Sequence, residues 1–273
     1  MKRILILLVI ALLFSGCVEP EVRYVKNSWG EVNEQYTEIL TTAGVYNPLP
    51  IPLPIEDVKT EVYMNNIKMG QGHAIKANVK ANSVSDVVIS TKIDNDKIVD
   101  WWISHIKNNE TTNIDVKGKI ILNAIVTQFD YPLEYRTQTK TKILDSIAFE
   151  NEKFDKLFIQ RVSARWGNVN KDYTEIIVNV KFKASSINIT KASYYLELNG
   201  IELAKGLSKV KTESNEFSIK IYIDNSKITN WWVSHIKNGE KSVGKIEIKP
   251  FVDEMALPTI EQPIIFETNM LGD

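Results

Sequence analysis

Cysteine occurs once in the 273 residues, at Cys17. No disulfide can therefore form within the chain, and a lone thiol beside three histidines leaves no dedicated zinc site. Neither sign of charge prevails: 33 Lys and Arg stand against 34 Asp and Glu, a formal net charge of -1. That balance excludes an acidic disordered chain and argues against a broad basic surface, so no nucleic-acid partner is expected. The chain lacks a His-x-Glu pair, a second cysteine, a Gly-x-Ser-x-Gly elbow and a phosphate loop. Accordingly no catalytic residue, metal ligand or cofactor is expected, and the chain reads as non-enzymatic. Long apolar runs are also missing. The one unbroken run, Ile4 to Phe14, would reach about 16 Å as a helix, short of a ~30 Å hydrocarbon core. The apolar fraction of 44% is nevertheless enough for one or two domain cores.

That run follows Met1-Lys2-Arg3 and precedes Ser15-Gly16-Cys17. A basic start, a short apolar stretch and small residues before a cut make a secretory signal over residues 1–16. Phe14-Ser15-Gly16-Cys17 resembles a lipobox, in which the cysteine is lipidated and becomes the first residue of the mature chain. The thiol is the nucleophile such chemistry requires, and dual acylation gives stable anchoring. Cys17 is thus the expected lipidation site, residues 17–23 a tether, and the location the outer face of the cytoplasmic membrane.

The rest of the chain is one unit written twice. Asp94 to Asn108, with Trp101-Trp102-Ile103-Ser104-His105 at its centre, returns as Asp224 to Asn238 with Trp231-Trp232-Val233-Ser234-His235, an offset of 130. Trp29-Gly30-Glu31-Val32-Asn33 and Tyr36-Thr37-Glu38-Ile39 return at offset 137 as Trp166-Gly167-Asn168-Val169-Asn170 and Tyr173-Thr174-Glu175-Ile176. Asn65-Asn66-Ile67 returns as Asn199-Gly200-Ile201 at offset 134. A unit of this length is a domain, not a solenoid repeat.

Period-two alternation runs in phase through both copies and predicts half-buried strands. Ile176, Val178, Val180 and Phe182 match Ile39, Thr41, Ala43 and Val45. Phe217, Ile219, Ile221 and Ile223 match Val87, Ile89, Thr91 and Ile93. Ile246, Ile248, Pro250 and Val252 are aligned with Ile120, Leu122, Ala124 and Val126. Asn65-Asn66 and Asn199-Gly200 read as tight hairpin turns. Ile98, Trp102 and Ile106, like Ile228, Trp232 and Ile236, recur at a spacing of four and predict one short helix per copy. Asn95 or Asp96, and Asn225 or Ser226, are the candidate N-caps; Asn109 and Gly239 are the candidate stops. The expected fold is mainly β: two tandem antiparallel β-sandwiches, each with one short α-helix. They span residues 24–145 and 158–270, joined by a charged linker at 146–157.

The first copy also contains Tyr46-Asn47-Pro48-Leu49-Pro50-Ile51-Pro52-Leu53-Pro54, then Val62-Tyr63-Met64-Asn65-Asn66-Ile67 and Gly70-Gln71-Gly72. An Asn-Pro pair, a Pro- and Ile-rich run, a strand, a hairpin and Gly-x-Gly resemble the water-stress-and-hypersensitive-response (WHy) domain of folded late-embryogenesis-abundant (LEA) proteins. The resemblance implies a sandwich of fibronectin or immunoglobulin type with a short helix, no catalytic residues, and a role in desiccation and other stress. The second copy has Lys183-Ala184-Ser185-Ser186 where the hallmark stands, so Asn47 and Pro48 are candidate functional residues of the first copy only.

Adjacent helical residues point about 100° apart. Trp102 and Trp232 share the isoleucine stripe and belong to the core. Trp101 and Trp231 fall at its rim, facing a surface or the other domain, and are candidate binding residues. His105 and His235, one turn further, lack a partner base or nucleophile and read as structural. The four prolines from Pro48 to Pro54 protect an edge or crossover from pairing. The leading functional expectation is a lipid-anchored protein that shields client proteins or the membrane surface during stress. The rival is an extracytoplasmic binding or assembly module for a surface protein or glycan.

Overall fold

A computed structural model describes residues 20–124, 127–155, 157–183 and 187–272. Cys17 and the signal segment lie outside them, as do Val126 and Ala184 to Ser186. The first copy comprises strands β1 (Glu21–Val32), β2 (Tyr36–Asn47), β3 (Ile55–Met64), β4 (Ile67–Lys76) and β5 (Ser83–Asp94). Helix α1 (Ile98–Lys107) and strands β6 (Thr111–Ala124) and β7 (Thr127–Lys140) follow. Helix α2 (Ile143–Ile147) and strand β8 (Phe149–Phe154) come next. The second copy comprises β9 (Leu157–Val169), β10 (Tyr173–Phe182), β11 (Lys191–Leu198), β12 (Ile201–Lys209), β13 (Thr212–Glu213) and β14 (Glu216–Asp224). It ends with helix α3 (Ile228–Lys237), β15 (Lys241–Val252), β16 (Met255–Ala256) and β17 (Ile260–Glu267).

The segment expected as a linker is structured: β8 pairs antiparallel with β9 and extends its sheet. The first unit, expected from residue 24, opens with a strand that begins at Glu21, within the stretch expected as a tether.

The local predictions rest on backbone chemistry. Asn65 and Asn66, and Asn199 and Gly200, all take positive φ, as a two-residue hairpin requires. Asn109 and Gly239 also have positive φ, and each follows the last helical turn. The expected N-caps are not used: the α-helices begin after Lys97 and Lys227, which make no side-chain cap bond, and the side-chain caps belong to the turns before them. The Asp94 carboxylate accepts from the Asp96 amide, and the Asp224 carboxylate from the Ser226 amide, opening a 3-10 turn before each helix. Asn95 and Asn225 are fully buried.

Two expectations need correction. The first concerns β6 and β15. Lys119 lies opposite Lys59, and Lys249 opposite Ser193, the residue equivalent to Lys59. The copies therefore correspond at offset 130, and Ile246 matches Val116 rather than Ile120. A shift by an even number of residues preserves period two, so alternation alone cannot detect it.

The second concerns the sandwich. In the second copy two separate sheets form, β13-β14-β10-β9-β8 and β12-β11-β15, with β16 and β17 also on β15. In the first copy all seven strands join one curled sheet, β1-β2-β5-β4-β3-β6-β7, because β4 pairs with β5. Gly70 permits that pairing. A Cβ built there would lie 1.9 Å from the Lys92 carbonyl oxygen. Its counterpart Ala204 carries a Cβ and is buried, and β12 does not pair with β14. Side-chain volume acts in the same direction. Thr60, Thr91 and Gly118 of the first copy stand where the second has Tyr194, Ile221 and Ile248. The larger set holds the two sheets apart; the smaller lets them close.

The alternation in β10 is buried as expected, with Ile176, Val178, Val180 and Phe182 all in the core. Its counterparts Ile39, Thr41, Ala43 and Val45 are half-buried, because the curled sheet has less apolar volume to set against them. One hydrophobic core nonetheless runs through both copies, from Met64, Met69 and Ile93 to Val178, Phe217 and Ile264. A small satellite of Val58, Val79, Val87 and Ile89 lies beyond it in the first copy.

Candidate functional site

The repeated motifs converge where the copies meet. Helices α1 and α3 lie against each other there, and all four of their tryptophans are buried: Trp101 at 3%, Trp102 at 2%, Trp231 at 2% and Trp232 at 0% exposure. Trp101 meets Trp232 edge-on, with ring centroids 4.9 Å apart. Trp102 meets Trp231 in the same way at 5.3 Å. Trp29 packs at 6.4 Å on Trp232, and Trp166 at 6.2 Å on Trp102. Edge-to-face geometry sets the positive ring edge on the negative face.

Every indole N–H is satisfied, and the bonds that cross are reciprocal. Trp102 Nε1 donates to Thr174 Oγ1 at 2.9 Å, and Trp232 Nε1 to Thr37 Oγ1 at 2.9 Å. Each threonine hydroxyl then donates to a buried asparagine, Thr37 to Asn95 and Thr174 to Asn225. These asparagines donate to the carbonyls of Asn33 and Asn170. Trp29 Nε1 donates across to Glu240 Oε1 at 3.0 Å, and Trp166 Nε1 to Glu110 Oε1 at 3.1 Å.

Within each copy a second chain runs through the histidine. Trp101 Nε1 donates to Thr112 Oγ1 at 2.9 Å, and that hydroxyl lies 2.8 Å from His105 Nδ1. His105 Nε2 lies 2.9 Å from Thr141 Oγ1, which donates to Glu110 Oε2 at 2.8 Å. The second copy repeats this with Trp231, Ser242, His235, Thr268 and Glu240. Donor counting assigns the tautomer: Thr112 receives the indole proton and gives its own to Nδ1, so the proton of His105 sits on Nε2. Burial lowers both histidines to about 4. Neutral imidazoles complete the chain, whereas a proton on Nδ1 would leave the Thr112 or Ser242 hydroxyl without an acceptor.

The motif Trp-Gly-x-Val-Asn-x-x-Tyr-Thr-Glu now has a residue-by-residue meaning. Its Trp and Thr make the crossing bonds. Its Gly seats the Glu carboxylate: Glu38 Oε2 accepts from the Glu31 amide and Glu175 Oε2 from the Asn168 amide, both at 3.0 Å. A Cβ at Gly30 or Gly167 would lie 2.4 or 2.1 Å from those oxygens. Its Asn closes the turn by accepting from the Tyr36 or Tyr173 amide. The Ser90 hydroxyl and the Glu31 amide hold the Glu38 carboxyl below the usual range.

Trp101 and Trp231, expected at a rim, are internal and face the other copy; neither offers a ring to a ligand. Adjacent helical residues diverge, but here both faces of each helix are covered, one by its own copy and one by its neighbour. Asn47 is fully buried. Its amide donates to the Ile51 and Lys80 carbonyls at 2.8 and 3.1 Å, and its oxygen accepts from the Leu49 amide at 3.0 Å. It pins the proline-rich run to the loop before β5, while Pro48 is half-buried beside it. Cys17 lies outside the described residues.

Glu110 and Glu240 were not anticipated. The signal was available: Asn108-Asn109-Glu110 and Asn238-Gly239-Glu240 extend the longest repeated stretch by two residues. Among the described residues, no group of three His, Cys, Asp or Glu is gathered as for a metal ion. Three open grooves, of about 430, 680 and 760 Å³, lie on strand surfaces away from the junction.

Residues 42–137 match the model of the LEA_2 family, late embryogenesis abundant protein. The first copy thus carries a LEA domain over part of the chain, which supports a non-enzymatic protein. An uncharacterized protein of Methanocaldococcus jannaschii is similar, at 26% identity over 129 residues covering 46% of this chain and 73% of that one. A crystal structure of a protein from Archaeoglobus fulgidus superposes with a TM-score of 0.43 at 27% identity, covering 45% of this chain and 100% of that one. A solution structure of an Arabidopsis thaliana protein superposes with 0.35 at 18% identity, covering 45% and 80%.

Proposed function

We propose that this chain is a non-enzymatic protective protein of LEA type, built of two tandem WHy-like units spanning residues 24–145 and 158–270. In this reading both units derive from a sandwich of fibronectin or immunoglobulin type. Lipid on Cys17 tethers the chain at the outer face of the cytoplasmic membrane. The family match over residues 42–137 carries the proposal. Burial of the repeated aromatic residues supports it, because a protein that shields by diffuse polar surface needs no aromatic pocket. Among the described residues no helix is long and apolar enough to cross a membrane. The rival, a module that binds a surface protein or glycan, would have to use the outer faces of the sheets rather than Trp101 or Trp231.

Two experiments test the proposal. The chain from Val18 onward is dried with a dehydration-sensitive enzyme and rehydrated. Recovery well above that given by an equal mass of an inert globular protein is expected, and recovery equal to that control would remove the protective reading. Separately, Cys17→Ser should let a high-salt wash release the protein from the membrane fraction; retention through that wash with an uncleaved signal would remove the lipid tether.

A further inference from the structure

The exposed apolar side chains are unevenly distributed. Of the twelve large ones among the described residues, six lie at one end of the first copy: Val22, Tyr24, Val25, Ile51, Ile75 and Val84. Strand register brings them to one end of the sheet but on both of its faces, Val22 and Val25 with Val45 and Ala43 on one, Tyr24 with Gly44 and Val84 with Tyr46 on the other. Glu21 lies opposite Tyr46, Tyr46 opposite Val84, and Lys76 opposite Val88. The proline-rich run is joined to the same end, where Leu53 bridges to Val79. The junction is at the other end of these strands. Thr37 and Tyr46 are nine residues apart on β2, or about 30 Å.

The second copy shows how unusual this exposure is. Val22 and Val25 are 55% and 56% exposed, while their counterparts Ile159 and Val162 are 0% and 3%. Strand β8 covers that edge in the second copy.

Cations share the exposed end. Lys26, Lys76 and Lys80 are exposed. The Lys26 ammonium lies over the Tyr24 ring, and the Arg23 guanidinium over the Tyr46 ring. Of the acidic groups there, Glu21 pairs with Arg23 at 2.9 Å, Asp86 accepts from the Tyr24 hydroxyl at 2.6 Å, and Asp57 accepts from the Val58 and Ala74 amides, while Glu56 is exposed at the start of β3. Aliphatic side chains, tyrosines and lysines in one place are the chemistry of a bilayer interface, where rings sit at headgroup level and ammonium groups meet anionic lipid. The first described strand also begins here. Four residue steps separate Cys17 from Glu21, a span of at most about 14 Å.

We propose that this end of the first copy is a membrane-docking surface that seats in the anionic headgroup layer of a bilayer and directs the second copy outward. It deepens the tethering reading, which supplies the local concentration, but its chemistry does not depend on the lipid.

The test uses the chain from Val18 onward, which keeps every described element and has no cysteine. Vesicles of phosphatidylcholine, alone or mixed with phosphatidylglycerol, are sedimented with it at low and high salt. Binding to the mixed vesicles, released by salt, is expected. A change of about fivefold per lysine predicts that K76E/K80E weakens binding tenfold or more. An environment-sensitive dye on V84C or I75C should shift to the blue on binding, and the same dye on L207C, in the second copy, should not. No binding to the mixed vesicles at low salt would overturn the proposal. So would undiminished binding by K76E/K80E, or a shift confined to L207C. Because this protein has no Cys17, failure of the lipid tether in the Cys17→Ser fractionation leaves these outcomes unaffected.

Discussion

Trp232→Phe probes the junction most sharply. The substitution keeps a ring on the helix but removes the N–H that Thr37 receives at 2.9 Å from 195 residues away in sequence. A net hydrogen bond is worth about 1 kcal/mol. The smaller ring also loses part of its contact with Trp101 and Trp29 and leaves a void in a fully buried site. Edge-to-face packing and the cavity together add about 1–3 kcal/mol. The total expected is about 2–4 kcal/mol. A double-mutant cycle with Thr37→Val isolates the crossing bond. The bond from Thr37 to Asn95 is lost in both arms and cancels, leaving a coupling of about 1 kcal/mol. Urea unfolding followed by far-ultraviolet circular dichroism reads it, and the shared core implies one transition for the whole chain. The cycle between Trp101 and Thr112, inside the first copy, is the control. Coupling near zero for Trp232 and Thr37, beside normal coupling in the control, would refute the docking of the copies.

Acid should destabilise the protein before its carboxylates titrate. Both histidines fall from 6.5 to about 4 on folding. The unfolded chain then binds the extra protons, and stability declines as pH drops from 6.5 towards 4, by up to about 3 kcal/mol for each histidine. A urea midpoint flat between pH 7 and 5 would contradict this, and His105→Gln should roughly halve the slope. Gly70→Ala should push β4 from β5 and cost about 2 kcal/mol or more, with faster amide exchange in both strands; an unchanged melting temperature would contradict the closure argument. Asn47→Ala removes three hydrogen bonds from a buried site and should cost about 2–3 kcal/mol while freeing the proline-rich run to proteolysis. Resistance to nicking at that run would show that Asn47 does not hold it.

The strands, hairpin turns and helices were legible because they are local. Asn65-Asn66 and the isoleucine spacing of four each express one backbone geometry. What stayed hidden depends on distance or on parity. The four-residue slip of β15 against β6 leaves every side chain on its proper face. The closure of the first copy's sheet turns on Gly70 against Ala204, one methyl group whose effect appears only when the Lys92 carbonyl is beside it. The tryptophans were readable as buried or rim residues, yet their acceptors lie in the other copy, and pattern alone does not pair Trp232 with Thr37. The repetition of those acceptors, Thr37 with Thr174 and Glu110 with Glu240, was the trace left in the sequence.

The repeated aromatic motifs serve the junction, not a ligand surface. Iodide quenching of the intrinsic tryptophan fluorescence measures this directly in the native chain. Blue emission with quenching confined to the fraction given by the half-buried Trp29 and Trp166, rising sharply only on unfolding, is the predicted result for buried Trp101, Trp102, Trp231 and Trp232. Red-shifted emission readily quenched by iodide in the folded protein would place these rings in water and contradict it.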